Sequence, residues 1–196
     1  SNPNIKVFGF EPATGPKYFL QKNIQLNNFQ NNIKAINLAL SNQIGQIDFY
    51  EVESPKYKYL KHDLAGEGNA GTKTTSRNFI KNTVSAITLE KFIDNENITN
   101  VDLIKIDTEG TEIDILNSGK SVIAQFKPII ICETLYNTIE NELDDFFKEL
   151  DYLFFTHTSD GLEKVSTIKR NYDNGIRNCF FVPKSKSDLI TPFIIN

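Results

Sequence analysis

Residues Val101–Asp107 read VDLIKID, a short apolar stretch that ends in an acidic residue. A nearly continuous run of aliphatic residues of this length is typical of a strand buried in a parallel sheet. Gly110 follows closely and predicts a tight turn, because glycine adopts backbone conformations that other residues avoid. The spacing of apolar residues from about Thr111 to Asn117 predicts a helix. This stretch therefore indicates a strand–turn–helix unit.

The same alternation of short apolar strands and helices continues on both sides of this unit. The further predicted strands are Lys6–Phe10, Ile33–Leu40, Gln46–Val52, Val84–Thr88, Pro128–Glu133, Tyr152–Thr156 and Asn178–Val182, and the further predicted helices are Pro16–Asn27, Leu89–Asp94 and Glu140–Leu150. This order indicates an α/β fold with a mostly parallel sheet and helices on both faces. The last two strands have no helix between them, which predicts an antiparallel C-terminal edge. Gln46–Val52 is expected to form a hairpin with Ile33–Leu40.

The chain of 196 residues suits a single domain, and no repeat or linker divides it. Between about residues 54 and 82 the hydrophobic periodicity gives way to a stretch rich in Lys, Gly and Thr, which predicts a long loop insertion. Within it, Gly66–Thr74 reads GEGNAGTKT. Its lysine is displaced by one residue from that of a phosphate-binding loop, and no apolar strand precedes it. We therefore expect a lid or a substrate loop.

Charge and hydropathy restrict the partners and the compartment. A net charge of −4 disfavours binding to nucleic acid or to an anionic membrane, and no apolar run approaches the ~18 residues of a membrane span. Cys132 and Cys179 lie in apolar strands without a zinc-type spacing, so they are expected to be buried thiols in the cytoplasm. His62 and His157 have no nucleophile placed with them and are expected to be ordinary exposed histidines.

Three predicted strands end in a carboxylate, namely Glu11, Asp107 and Glu133. In open α/β sheets ligands bind outside the carboxyl ends of the strands, so these acids predict a ligand site at one rim. Lys105 shares a strand face with Asp107. Because burying an unpaired ammonium is costly, Lys105 either forms a structural ion pair or takes part in binding or proton transfer.

The acids that follow this strand raise the question of a metal site. They are Asp107, Glu109, Glu112 and Asp114. An EF-hand loop needs glycine at its sixth position and ligands at regular intervals, and this segment has neither. No metal site is therefore predicted.

Several further motifs occur in a fixed order over nearly the whole chain. They are Phe10–Pro12, Asn23 with Asn27, Ala39–Ser41, Thr88–Glu90 with Phe92, Pro128–Glu133 and Asn178–Pro183. The most specific element is Ile104–Gly110 (IKIDTEG), with Glu112 and Leu116 beyond it. Together these motifs resemble the FkbM family of S-adenosylmethionine-dependent methyltransferases. The resemblance implies a class I methyltransferase fold, which is Rossmann-like and has an antiparallel final hairpin.

The resemblance also implies a cofactor, S-adenosyl-L-methionine, and residues that bind it. By position, Glu11 resembles the acid that binds both ribose hydroxyls, with Pro12 beside it. Leu40 and Ser41 would flank the adenine, and Asp107 would lie near the methionine end. A bidentate carboxylate suits a vicinal diol, which supports the role assigned to Glu11.

The activity implied is methyl transfer, typically to a hydroxyl oxygen. Lys105, Asp107 and Glu109 are the candidate catalytic residues, because a base near the acceptor hydroxyl would assist the transfer. Lys105 and Asp107 are favoured as a coupled pair. The acceptor is left open as a hydroxyl of a glycan, a lipid or a small metabolite.

One part of the family pattern does not occur in these 196 residues, namely the first strand and its glycine-rich turn, which should precede Lys6. We therefore expect an N-terminally incomplete methyltransferase domain that binds cofactor weakly, or not at all, by itself. A sheet without this strand would leave edges near Lys6–Phe10 and Val101–Asp107, which predicts strand exchange, a strand taken from elsewhere or direct pairing of these two strands. Two alternatives stay open. One is a non-catalytic interaction module, and the other is a different nucleotide-dependent α/β enzyme, such as a sugar-nucleotide transferase.

Overall fold

A computed structural model describes residues 4–52, 79–108 and 110–195 of the chain. The strands are β1 (Val7–Phe10), β2 (Ile33–Ile36), β3 (Ala39–Leu40), β4 (Gly45–Val52), β5 (Phe79–Ile87), β6 (Leu103–Ile106), β7 (Ile129–Glu133), β8 (Tyr152–His157), β9 (Leu162–Val165) and β10 (Asn178–Pro183). The helices are α1 (Thr14–Leu26), α2 (Leu89–Asn95), α3 (Glu112–Asn117), α4 (Lys120–Phe126) and α5 (Glu140–Glu149). These elements fall into two compact units, residues 1–88 and residues 89–196. That the whole chain forms one domain stays a prediction.

The first unit contains two small sheets. β1 and β2 flank α1 in the sequence and pair with each other in parallel, with Phe8 opposite Lys34. In the second sheet, β5 lies between β3, which is parallel to it, and β4, which is antiparallel. Ile47 of β4 forms a buried apolar cluster with Ala39 of β3 and Ala86 of β5. Each of the three strands therefore contributes one side chain to this cluster.

Three predictions about this unit were wrong. The segment Ile33–Leu40 forms two strands, β2 and β3, and β4 makes its hairpin with β5 instead. The predicted loop at residues 54–82 ends earlier than expected, because β5 already begins at Phe79. The rest of that loop lies outside the described residues, and so do His62 and Gly66–Thr74.

The second unit contains a five-stranded sheet in the order β6-β7-β10-β8-β9. β6 and β7 are parallel, whereas β10 is antiparallel to both of its neighbours. The predicted antiparallel end is present, but β10 lies inside the sheet and β9 is the edge strand. The sequence did not predict β9. Two short 3-10 helices, Lys184–Leu189 and Thr191–Phe193, follow β10.

The two faces of this sheet differ in burial. On one face Ile130, Cys132 and Phe181 are fully buried, and Phe147 of α5 stacks on Phe181 with ring centroids 3.8 Å apart. Residues of the opposite face are more accessible along three strands, and we call it the open face. They are Leu103, Lys105, Ile131, Glu133, Asn178 and Phe180.

The burial expected for β6 was wrong for this reason. The apolar run VDLIKID predicted a strand buried on both faces, but Leu103 is 55% exposed and only Ile106 is buried. β6 is the edge strand of the described sheet, and its odd-numbered residues lie on the open face.

The two cysteines are buried free thiols, as predicted. They lie directly opposite each other on neighbouring strands, since Cys179 of β10 pairs with Cys132 of β7. Within the described ranges, every helix is too short or too polar to cross a lipid bilayer.

Candidate functional site

Glu11 lies in the turn that joins β1 to α1. Its backbone N–H donates to the carbonyl oxygen of Ile36 at 2.9 Å, and its Oε1 accepts a hydrogen bond from the N–H of Ala13 at 2.9 Å. Pro12 between them fixes one backbone angle of the turn. A carboxylate here is also favoured by the positive end of the helix dipole of α1. The sequence thus holds a half-buried carboxylate at the carboxyl end of β1.

Leu40 and Ser41 lie at the carboxyl end of β3. Leu40 pairs with Ile87 of β5, and the N–H of Ser41 donates to the carbonyl of Ile87 at 3.0 Å. The hydroxyl of Ser41 donates to Oδ1 of Asn42 at 3.5 Å. Leu40 and Ser41 are both half-buried, so an apolar and a polar side chain lie next to each other at this strand end.

Lys105 and Asp107 form the ion pair that the sequence predicted. The Nζ atom of Lys105 lies 3.0 Å from Oδ2 of Asp107 and also donates to the carbonyl of Ile106 at 3.3 Å. Their side chains are 43% and 52% exposed. Lys105 therefore has an ionic partner and is also accessible, because both side chains reach solvent on the open face of an edge strand. The pair is accessible to a ligand.

The turn after Asp107 is held in place by Glu112 at the start of α3. Its Oε1 accepts hydrogen bonds from the N–H of Thr108 at 2.8 Å, the hydroxyl of Thr108 at 3.1 Å and the N–H of Gly110 at 3.1 Å. Glu112 is 1% exposed, and within the described chain its Oε2 has no hydrogen-bond partner. Gly110 has a φ of +103°, which favours glycine. Glu112 thus fixes the backbone that presents Asp107. Glu109 lies outside the described residues.

Glu133 lies beside Asp107 at the same rim. Ile106 pairs with Cys132 in the parallel register of β6 and β7, so the next residues, Asp107 and Glu133, are neighbours on the open face. The acidic rim predicted for these two strands is therefore present in the second unit. Asn178 pairs with Glu133, and His157 follows on β8, so two further polar residues extend this rim. Asn178 begins the motif Asn178–Pro183, whereas the signal for His157 is its place just after the apolar strand YLFFT.

A buried ion pair that the sequence did not reveal supports the loop after β7. Nε of Arg170 lies 2.5 Å from Oε1 of Glu140, and these side chains are 8% and 7% exposed. The same guanidinium donates to the carbonyls of Thr134 at 2.9 Å and Ile176 at 2.5 Å. It therefore joins the segment after β7 to the segment before β10. The two residues are 30 positions apart, and no local pattern relates them.

Neither thiol is suited to nucleophilic chemistry. Burial raises the pKa of Cys132 well above its usual value, and the nearby carboxylate of Glu112 raises it further. Burial also raises the pKa of Cys179, which outweighs its hydrogen bond with Thr134. Because the thiolate is the nucleophilic form, both side chains act as small core residues. Among the described residues, no three His, Cys, Asp or Glu side chains are grouped so as to hold a metal ion.

Comparison with known proteins adds to this geometry. A family model described as the methyltransferase FkbM domain matches residues 2–154, which is more than half of the chain. The chain is also similar to the crystal structure of methyltransferase FkbM from Methylobacillus flagellatus KT, with a TM-score of 0.53 and 14% sequence identity. The alignment covers 90% of this chain and 36% of that protein, so this chain spans little more than a third of its length. No curated protein sequence gives a significant match.

The structural likeness confirms the predicted α/β, Rossmann-like fold. Among the described strands, the three-stranded and five-stranded sheets are mixed, and, in all, three pairings are parallel and four are antiparallel. The family match includes all three acidic strand ends that the sequence singled out, Glu11, Asp107 and Glu133. The chain belongs to the FkbM methyltransferase domain family.

Proposed function

We propose that this protein transfers a methyl group from S-adenosyl-L-methionine to a hydroxyl oxygen of its acceptor. The observation that carries the proposal is the match of residues 2–154 to the FkbM methyltransferase domain. The acceptor classes that suit the proposal are a glycan, a lipid or a small metabolite. Free buried thiols at Cys132 and Cys179 are in keeping with a reducing compartment such as the cytoplasm.

Residues of the first unit suit the nucleoside part of this cofactor. Glu11 offers a half-buried carboxylate held in a fixed turn, and a carboxylate can accept hydrogen bonds from both hydroxyls of a ribose. Leu40 supplies an apolar surface suited to a purine ring, and Ser41 supplies a hydroxyl beside it. These residues would hold the cofactor, with Pro12 keeping the turn of Glu11 rigid.

Residues of the second unit suit the chemical step. When bound, S-adenosylmethionine supplies a methyl group that is already activated by its sulfonium. Asp107 is exposed at the rim, where it can accept the proton of an acceptor hydroxyl. Lys105 orients this carboxylate and places a positive charge where negative charge develops on the acceptor oxygen. Glu109 stays a second candidate base by its place in the same motif.

Calorimetric titration with S-adenosylhomocysteine, beside a parallel titration with UDP-glucose, tests the proposal. We expect weak binding of S-adenosylhomocysteine and no binding of UDP-glucose. Glu11→Gln should weaken binding by about 1.5–3 kcal/mol, which is about 10- to 150-fold, because a hydrogen bond to a charged group is lost. Glu163→Gln, on exposed β9, is the matched control and should leave the dissociation constant unchanged.

Each contrary result has a definite meaning. An unchanged dissociation constant in Glu11→Gln would remove this residue from the cofactor site. Binding of UDP-glucose alone would favour a sugar-nucleotide transferase. Binding of neither compound by the full-length protein would favour a non-catalytic interaction module and contradict the proposed activity.

A further inference from the structure

Four polar side chains occupy neighbouring positions across the rim of the five-stranded sheet, and we call them the rim row. They are Asp107, Glu133, Asn178 and His157. The registers place them side by side, since Asn178 pairs with Glu133, while Ile106 pairs with Cys132 and Cys179 with Thr156. Because side chains alternate between faces along a strand, all four lie on the open face.

The length of the rim row exceeds what one hydroxyl group requires. Neighbouring strands lie about 4.8 Å apart, so three steps from Asp107 to His157 span about 14 Å. A ligand that contacts the whole row must therefore be elongated. Asp107, next to Lys105, lies at the end of the row where the methyl transfer is proposed.

The chemistry of the rim row suits a ligand with many hydroxyl groups. The two carboxylates accept hydrogen bonds, the amide of Asn178 accepts and donates, and the ammonium of Lys105 donates. Oδ1 of Asn178 is buried and has no hydrogen-bond partner within the described chain. Leaving a buried acceptor unsatisfied is unfavourable, so turning the half-buried amide of Asn178 to meet a donor of a ligand would be stabilising.

An aromatic ring lies next to the polar groups. Phe180 is the next residue of β10 on the open face after Asn178, and its ring centroid lies 6.1 Å from that of His157. Phe180 is half-buried against a hydrophobic cluster that includes Phe155 and Val182, so its position is fixed. A fixed aromatic surface beside hydrogen-bonding groups matches the apolar ring faces and the hydroxyl edges of a sugar.

We propose that the rim row is the acceptor site and that the acceptor is a glycan of at least two sugar units. Its reacting hydroxyl lies at Asp107, and the remainder extends toward His157. Asn178 determines specificity, because an apolar acceptor would leave its amide oxygen unpaired. The role of this glycan as the methyl acceptor rests on the proposed function, whereas its binding to the rim row does not.

The test uses the histidine ring as a reporter. The chain contains two histidines, so His62→Gln leaves His157 as the single imidazole signal in a ¹⁵N-histidine-labelled sample. This protein is titrated with maltotriose, cellotriose and chitotriose, and with hexane-1,6-diol as a linear diol of similar reach. We expect at least one trisaccharide to shift the His157 resonance in a saturable manner and the diol to leave it unchanged.

Variants then locate the binding. Asn178→Leu and, separately, Glu133→Gln should each weaken trisaccharide binding at least fivefold, and the second variant keeps the test open should the first not fold. Asn100→Leu, an exposed asparagine just before β6 at the opposite rim, is the matched control and should bind as the parent does. The proposal is overturned if no trisaccharide shifts His157, if the diol shifts it equally, or if both rim variants keep full affinity.

Calorimetry with S-adenosylhomocysteine on the same samples separates the two proposals. Trisaccharide binding without cofactor binding, measured on the full-length protein, would support the rim row and contradict the transferase activity. Cofactor binding without trisaccharide binding would do the reverse.

Discussion

Replacing Lys105 by methionine removes the ammonium that lies 3.0 Å from Asp107 while it retains most of the apolar stem. The two side chains are 43% and 52% exposed, so water screens their attraction. Ion pairs of this kind contribute about 0.2–1 kcal/mol. In a chain of this length, such a loss lowers the melting temperature by at most about 4 °C.

A double-mutant cycle measures this quantity directly. Urea unfolding of Lys105→Met, Asp107→Asn and the double variant should give a coupling free energy below about 1 kcal/mol. The control cycle uses Lys81 and Asp48 in the first unit, whose atoms lie 2.8 Å apart and whose side chains are 57% and 54% exposed. The two cycles should give similar coupling free energies of unfolding. Only the Lys105 and Asp107 variants should lose methyl transfer, because only this pair lies at the proposed reacting end of the acceptor.

Two results would refute this reasoning. A coupling of about 3–5 kcal/mol, as is found when one partner of a buried pair is removed, would mean that the pair is shielded from water. Full methyl transfer by both single variants would show that the pair is a surface ion pair without a chemical role.

Three further outcomes are expected. Arg170→Met should lower the free energy of unfolding by about 3–5 kcal/mol, since Glu140 would keep an unpaired buried charge, and a loss below 1 kcal/mol in urea unfolding would contradict this. Gly119→Ala should lower the free energy of unfolding by about 1–3 kcal/mol, because a Cβ there would lie 2.5 Å from Cδ2 of Leu89. An unchanged melting temperature would contradict this and mean that the Leu89 side chain moves aside without cost. Burial raises the pKa of Asp144, but hydrogen bonds from Lys148, Thr167 and the N–H of Ile168 outweigh it and lower the pKa below 3.8. The stabilisation by Asp144 is therefore present above about pH 4 and lost as the pH falls through the folded pKa, so Asp144→Asn should be less acid-sensitive than the parent between pH 6 and 3.

Most strands and helices of this chain follow from local pattern. The predicted strand Lys6–Phe10 is observed as Val7–Phe10, and the predicted helix Glu140–Leu150 ends one residue earlier. Such segments are predictable because the spacing of their apolar residues depends on neighbours within one or two helical turns or a few strand residues. The Lys105–Asp107 contact was predictable for the same reason, since both side chains lie on one strand face.

The remainder depends on residues that are distant in sequence. The sequence of β4 did not predict its partner strand, because the apolar alternation of β4 fits any strand that has an apolar face. The exposure of Leu103 was missed because an apolar run such as VDLIKID suits an edge strand as well as a central one. Likewise, nothing local connects Asn178 with Glu133 or Arg170 with Glu140, which only the fold brings together.

The position of β10 has a consequence for how the second unit folds. β7 and β8 each pair with β10, although β10 follows both of them in the chain. During synthesis the N-terminal strands leave the ribosome first, so β7 and β8 are present before β10, the strand that lies between them. Completion of the sheet is then a late event that closes a long stretch of chain, and such contacts form slowly. A nascent chain halted before Asn178 would leave one edge of β7 and one edge of β8 unpaired, and chaperones or other nascent chains would compete with β10 for these edges.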